Sequence, residues 1–261
     1  VWYLIRDAIN QWVADRLTDG WTIADIHSYL ATFDQWDRYD SDGDTNFDEP
    51  DGYIDHFQIV HAGEGEETGG GAQGTQAIWS HRWYSAYQGI NVWGPNGYGG
   101  MEFGGTGTFG NLGGPNAVGV WVGDYTMQPE NGGLGVFAHE YAHDLGLPDQ
   151  YDTAGGDNST GFWTIMSSGS YLGDGSVNGI GTRPGDFNAW EKYQLGWLNY
   201  EVAYAGKKSE HKLGPAEANT KQAQGLFVVL PDKEVSETIG TPYSGSNFYY
   251  SGAGDNLDND M

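Results

Sequence analysis

The segment His139-Glu140-Tyr141-Ala142-His143 constrains this chain more than any other. It sits in a helical pattern from Gly132 to Leu145, which Gly146 and Pro148 end, with the glycine at the usual left-handed position after a helix. Phe137, Ala138, Tyr141 and Ala142 flank the motif, so the helix is expected to be largely buried. Two imidazoles and a carboxylate cannot be buried there without partners. Residues four apart share one helix face, so His139 and His143 can hold one ion together. Glu140 lies about 100° around the helix from His139, next to such an ion without having to ligate it. A carboxylate in that place can take a proton from an attacking water and pass it to a leaving amine. Neutral imidazole suits zinc, and a catalytic zinc site has three protein ligands and one position left open.

The third ligand is sought downstream. Gly146 permits a sharp turn that can bring Asp149 back to the metal, and aspartate is a competent zinc ligand through oxygen. The rival is Glu191, on a second helical pattern from Asp186 to Leu195. Asp149 is preferred because the Gly146 turn makes its return short. Met166 stands among small residues in Trp163-Thr-Ile-Met166-Ser-Ser-Gly169, a setting that can also mean plain core packing. His56, His61 and His81 fall in or beside expected strands and read as packed, hydrogen-bonded residues.

An acidic loop precedes the first expected strand. Asp40, Asp42, Asp44, Asn46, Asp48 and Asp51 fill positions 1, 3, 5, 7, 9 and 12 of a calcium-loop spacing. Thr45 stands where such loops carry glycine, and Asp51 is shorter than the usual glutamate. So many carboxylates repel one another without a counter-ion, so a structural calcium is expected, with Asp37 and Asp55 as further candidates. A second site near Asp152, Asp157 and Asp174 is weakly signalled. The plainer alternative is a solvated acidic loop. The net charge of −25, from 36 acids against 11 bases, argues against nucleic acid and anionic membranes as partners. No run reaches the roughly 18 apolar residues of a membrane helix. The absence of cysteine removes disulfides, thiolate zinc sites and cysteine nucleophiles together.

Elsewhere, Ile5, Ile9, Trp12, Val13 and Leu17 predict an amphipathic helix over residues 1–17, and Thr22 to Phe33 a shorter one. Strands are expected at Tyr53–Val60, Ala77–Trp83 and Ala117–Thr126. Asp124 and Glu130 are candidates for the rim of a cleft. Residues 89–116, rich in Gly, Asn and Pro, predict little regular structure, and residues 196–261 short strands and loops. Trp2, Trp12 and Trp190 sit at core-type helical positions. The uncapped start and the polar tail from Gly252 to Met261 read as trimmed ends.

The run from Gly132 to Tyr171, together with Asp51-Gly-Tyr-Ile-Asp-His-Phe-Gln, His61-Ala-Gly-Glu-Gly-Glu-Glu and Ile78-Trp-Ser-His-Arg-Trp, closely resembles the immune inhibitor A peptidases, peptidase family M6. The match covers roughly residues 34–197. The resemblance implies a secreted bacterial zinc endopeptidase of metzincin type that acts on proteins or peptides. It implies a propeptide and often C-terminal domains, neither evident here, and an edge strand above the cleft that binds the peptide by β-augmentation, for which Ala117–Thr126 is the candidate. The metzincin likeness makes Met166 a Met-turn residue and gives Asp149 the place that clan usually fills with histidine. Many of its members carry a tyrosine two residues after that methionine; here the position is Ser168, and the nearest tyrosine is Tyr171. The expectation is therefore one α/β catalytic domain over 1–261, monomeric, with a twisted mixed sheet packed on an active-site helix and a C-terminal helix, and with long Gly-rich loops. A calcium-dependent adhesion or sugar-binding module and a zinc amidase acting on cell-wall peptides are the rival readings.

Overall fold

The structure, a computed structural model, describes residues 1–85, 94–106, 113–176 and 180–229. The tail from Gly252 to Met261 lies outside the described residues. The chain forms two compact units, Val1–Asn131 and Gly132–Met261. The class is mixed α/β with small sheets.

The first unit opens with helix α1 (Trp2–Thr18), whose buried face is Ile5, Ile9 and Val13. These lie four apart, so they stack on one side of the helix. Helix α2 (Ile23–Leu30) follows, started by a capping box in which Thr22 and Asp25 satisfy each other's backbone N–H groups. It buries Ile26 and Leu30. Both stripes join Trp83, Met101, Phe103, Val120, Val122, Tyr125 and Met127 in one core.

The strands of this unit are β1 (Gln58–His61), β2 (His81–Tyr84), β3 (Met101–Glu102), β4 (Trp121–Val122) and β5 (Asp124–Pro129). The order β1-β5-β2 makes a mixed sheet, with β1 parallel and β2 antiparallel to β5. Strand β4 pairs with β3 and bridges to Tyr53 on its other side. The Ala117–Thr126 stretch is thus no edge strand. Residues 121–122 belong to β4 and 124–126 to β5, each strand with a neighbour on both sides, while residues 117–120 lie in no strand. The edges of the three-stranded sheet are β1 and β2.

Strand β5 is buried along its whole length, polar positions included. Asp124 is neutralised by Arg82 and by Arg38, at 3.5 Å, and accepts a hydrogen bond from the Tyr39 hydroxyl at 2.5 Å. Burial pushes its carboxyl up, and the two guanidinium groups outweigh this and hold it below the usual carboxylate range. Asp124 is therefore an internal ion pair that ties β2 and the acidic loop to β5, not a rim residue. Glu130 accepts from the Gly63 N–H at 3.0 Å. His81 is held by the Trp79 carbonyl and the Tyr125 hydroxyl, as a packed strand histidine would be.

The second unit contains α3 (Leu134–Asp144), α4 (Ala189–Gln194) and the parallel pair β6 (Tyr200–Tyr204) and β7 (Gly225–Val229). Its apolar cluster is Ala142, Leu147, Ile165 and Met166, with Ala138, Phe187 and Leu195 packed against it. Trp190 is 42% exposed, against its expected place in the core. Among the described residues, no helix is long and apolar enough to cross a membrane.

Candidate metal centre

Helix α3 ends as its sequence requires. Gly146 takes a φ of 98°, the left-handed region open to a residue without a Cβ. Its N–H donates to the His143 carbonyl at 2.9 Å, and the Leu147 N–H donates to the Ala142 carbonyl at 2.9 Å. These are the two bonds of a Schellman motif. The start of α3 is equally confined, since a Cβ on Gly135 would lie 2.1 Å from the Ser170 carbonyl oxygen.

The turn reverses the chain and returns Asp149 to the helix. His139 Nε2 and His143 Nε2 lie 3.1 Å apart, and each is 3.2 Å from Asp149 Oδ1. His139 Nδ1 meets the Ile165 carbonyl at 2.8 Å, and His143 Nδ1 meets the Leu147 carbonyl at 2.7 Å. A carbonyl oxygen only accepts, so each Nδ1 carries a proton and each neutral ring is left with a lone pair on Nε2. Three acceptor atoms thus converge with no donor among them. Asp149 Oδ1 is buried and has no hydrogen-bond partner.

A cation relieves that repulsion. A proton can bridge only two of the three atoms, whereas a metal ion can meet all three. Atoms about 2.0–2.1 Å from a tetrahedral zinc stand about 3.3–3.4 Å from one another, close to the spacing found here. The His₂Asp donor set also suits zinc, and the carbonyl acceptors on both Nδ1 atoms are the outer contacts that orient ligating histidines. The residues present therefore fit the ion.

Glu140 is buried on α3, while Tyr141 is 41% exposed, so the helix turns its aromatic residue outward and its carboxylate inward. Met166 is fully buried against Ala142, and Ala138 packs on the same cluster; these two alanines are the chain neighbours of His143 and His139. Glu191 does not join the donor triangle. Its carboxyl is taken up by the Thr164 hydroxyl, at 2.5 and 2.6 Å, and by the Asn188 N–H at 2.6 Å. Burial pushes that carboxyl up, against these hydrogen bonds.

The acidic loop is built differently. The carboxylates of Asp37, Asp40 and Asp42 lie together, as do those of Asp42, Asp44 and Glu49. Asp37 was a secondary candidate from the sequence, and Glu49, outside the alternating spacing, was missed. Asp48 and Asp51 fall in neither group. Asn46 donates to Glu49 at 2.7 Å. Thr45 takes a φ of 70°, the left-handed conformation usual for glycine at that loop position, and its N–H donates to Asp40 at 2.9 Å. Asp55 accepts from the N–H groups of Gln35 and Trp36. Among the described residues, Asp152, Asp157 and Asp174 form no such cluster.

Fold and site together give a mixed α/β chain with a candidate three-donor metal centre carried by one helix and the turn after it. The family model for the immune inhibitor A peptidase M6 catalytic domain matches residues 1–198, and the chain belongs to that family. Immune inhibitor A from Bacillus thuringiensis subsp. alesti is 39% identical over 246 residues, covering 87% of this chain and 32% of its own length. The pre-pro-metalloprotease PrtV of Vibrio cholerae serotype O1 (strain M66-2) is 36% identical over 273 aligned residues, covering 99% of this chain and 26% of its own. The chain thus spans about a third or less of these curated relatives. The family implies a metal.

Proposed function

We propose that this chain is the zinc endopeptidase domain of a secreted bacterial metalloprotease, of metzincin type and acting as a monomer on proteins or peptides. The observation that carries the reading is the half-buried triangle of His139 Nε2, His143 Nε2 and Asp149 Oδ1, three acceptors facing one point without a donor. The name of the Vibrio relative, a pre-pro-metalloprotease, supports both the activity and export as a precursor.

His139, His143 and Asp149 would hold the ion. Bound zinc supplies a Lewis acid that polarises the scissile carbonyl and eases deprotonation of water. Glu140 is the general base: its carboxylate takes the proton of the attacking water and delivers it to the leaving amine nitrogen. The Ile165 and Leu147 carbonyls keep both imidazoles in the tautomer that leaves Nε2 free. Met166 supports the site from the apolar side as a Met-turn residue.

The acidic loop is proposed to bind structural calcium. The two carboxylate clusters favour this, as does Asp51, whose carboxyl is pushed up to about 7 by burial and by the charges of Asp37, Asp34 and Asp55. The loop would then need a cation to keep its acids ionised.

The decisive experiment compares wild type with Glu140→Gln for casein hydrolysis, with zinc content measured on both. The expected result is full zinc content and a kcat lower by about 10²- to 10⁴-fold in the variant. Equal cleavage by both proteins would sink the general-base role. A wild type that binds no zinc would favour the adhesion-module reading. Hydrolysis of purified peptidoglycan peptides but not of unfolded proteins would favour the amidase.

A further inference from the structure

We propose that Glu191 is a positioning residue for the metal centre, acting through the Thr164 hydroxyl on the turn Thr164–Ser167; the proposal rests on the metallopeptidase reading above. Glu191 is fully buried and opens α4. Part of its work is local, since it forms a capping box with Asn188. A capping box needs neither burial nor a second partner. Glu191 has both, because its two carboxyl oxygens close on the hydroxyl of Thr164, which is 27 residues earlier and also fully buried.

The Thr164 hydroxyl is in turn the acceptor for the Met166 N–H at 3.0 Å. One oxygen therefore couples a buried carboxyl to the backbone of the turn. The Ser167 N–H closes that turn on the Thr164 carbonyl, and the Ile165 N–H reaches the Asp186 carbonyl just before α4. The carbonyls of the turn then point toward the donor triangle. That of Ile165 accepts from His139 Nδ1 at 2.8 Å, and that of Met166 accepts from the N–H of Gln150, the residue after Asp149, at 2.7 Å. Two of the three donors are thus oriented by one turn that Glu191 braces from behind. The third, His143, takes its orientation from the Leu147 carbonyl at its own helix end.

A buried carboxyl held this way is costly unless its hydrogen bonds are kept. If Glu191 served only to cap α4, loss of the Thr164 hydroxyl would leave the metal centre unchanged. If it positions the turn, removing either partner lets His139 and Asp149 drift, and contacts of this outer kind typically change metal affinity by about 10- to 100-fold.

The test uses Thr164→Val, Thr164→Ser and Glu191→Ala in the full chain. Zinc affinity is measured by competition with a chromophoric chelator, and the geometry of the site by the visible spectrum of the cobalt(II)-substituted protein. Thr164→Val and Glu191→Ala are each expected to weaken zinc binding by about 10- to 100-fold and to shift the cobalt bands. Thr164→Ser, which keeps the hydroxyl, is expected to restore both. The double variant Thr164→Val/Glu191→Ala should lose less than the product of the single losses, because both break one linkage. Should Glu191→Ala fail to fold, the Val and Ser variants at position 164 still decide the matter. Wild-type zinc affinity and spectrum in Thr164→Val, or a Thr164→Ser no better than Val, overturns the brace while leaving the metallopeptidase reading intact. A wild type without zinc overturns both.

Discussion

The histidine centre and the acidic loop use similar donors and are constructed in opposite ways. At the centre, the donors are half-buried, each ring is fixed by a backbone carbonyl, and the atoms converge with no proton between them. In the loop, Asp42, Asp44 and Asp48 are exposed, and the chain there satisfies itself locally. Asp42 accepts from the N–H of residue 44, Asp44 from that of residue 46, and Asn46 from that of residue 48. These are successive Asx turns, which put an oxygen at every second residue for purely local reasons. A calcium loop has the same spacing. The alternation seen in the sequence therefore carries less information than the histidine motif, because two different causes produce it.

The largest effect that would sharpen this contrast is loss of the third donor. Asp149→Ala is expected to reduce zinc affinity and casein hydrolysis by more than about 100-fold, since contacts one shell further out already cost 10- to 100-fold. Asp42→Ala should leave zinc stoichiometry unchanged. Zinc content by atomic spectroscopy, with activity on the same samples, checks both. If Asp149→Ala kept its zinc, the triangle would be a hydrogen-bonded cluster, and the two regions would no longer differ in kind.

A smaller effect tests the turn that makes the return possible. Gly146 has a φ of 98°, and a Cβ in the left-handed region costs about 1–2 kcal/mol. Gly146→Ala is therefore expected to lose about that much stability by urea unfolding, with weaker zinc binding, because the same turn carries the Leu147 carbonyl that holds His143. By contrast, Gly43→Ala, with a φ of 78° in the acidic loop, should leave zinc affinity alone. Equal zinc losses in the two variants would mean that the centre responds to general destabilisation and not to its own turn.

The helices were legible because their apolar residues repeat with the helical period, as Ile5, Ile9 and Val13 do. The centre was legible because its donors are close in the chain: two share a helix face and the third follows a glycine. The strands were harder to read. Asp124, Thr126 and Gln128 alternate with Tyr125 and Met127 as if half of β5 faced water, yet all of it is buried. Arg82 and Arg38 compensate the first of these, and neither is near it in sequence. The edge role assigned to Ala117–Thr126 failed for a related reason, since pairing on both sides is a property of the sheet and not of the strand. Glu191 shows the boundary within one residue. Its capping box is spelled out by Asn188-Ala-Trp-Glu191, but its bond to Thr164 joins residues whose proximity no local pattern encodes.

The smallest expected effect separates the two regions by their response to pH. The Asp51 carboxyl is raised to about 7, first by burial and then by Asp37, Asp34 and Asp55, against about 3.9 in an unfolded chain. Between about pH 4 and pH 7 the folded protein thus keeps a proton that the unfolded chain has released. The native state binds more protons over that window, so this group's contribution to stability is fully present below about pH 4 and is lost as the pH rises through about 7. In calcium-free buffer, urea unfolding should show stability declining across that range, and Asp51→Asn should flatten the decline. Calcium favours the ionised acids, so adding it should remove or reverse the slope in wild type without changing zinc content. An identical slope with and without calcium would leave the loop as a set of Asx turns with a strained acid beside it, and the histidine centre as the one metal site of the two.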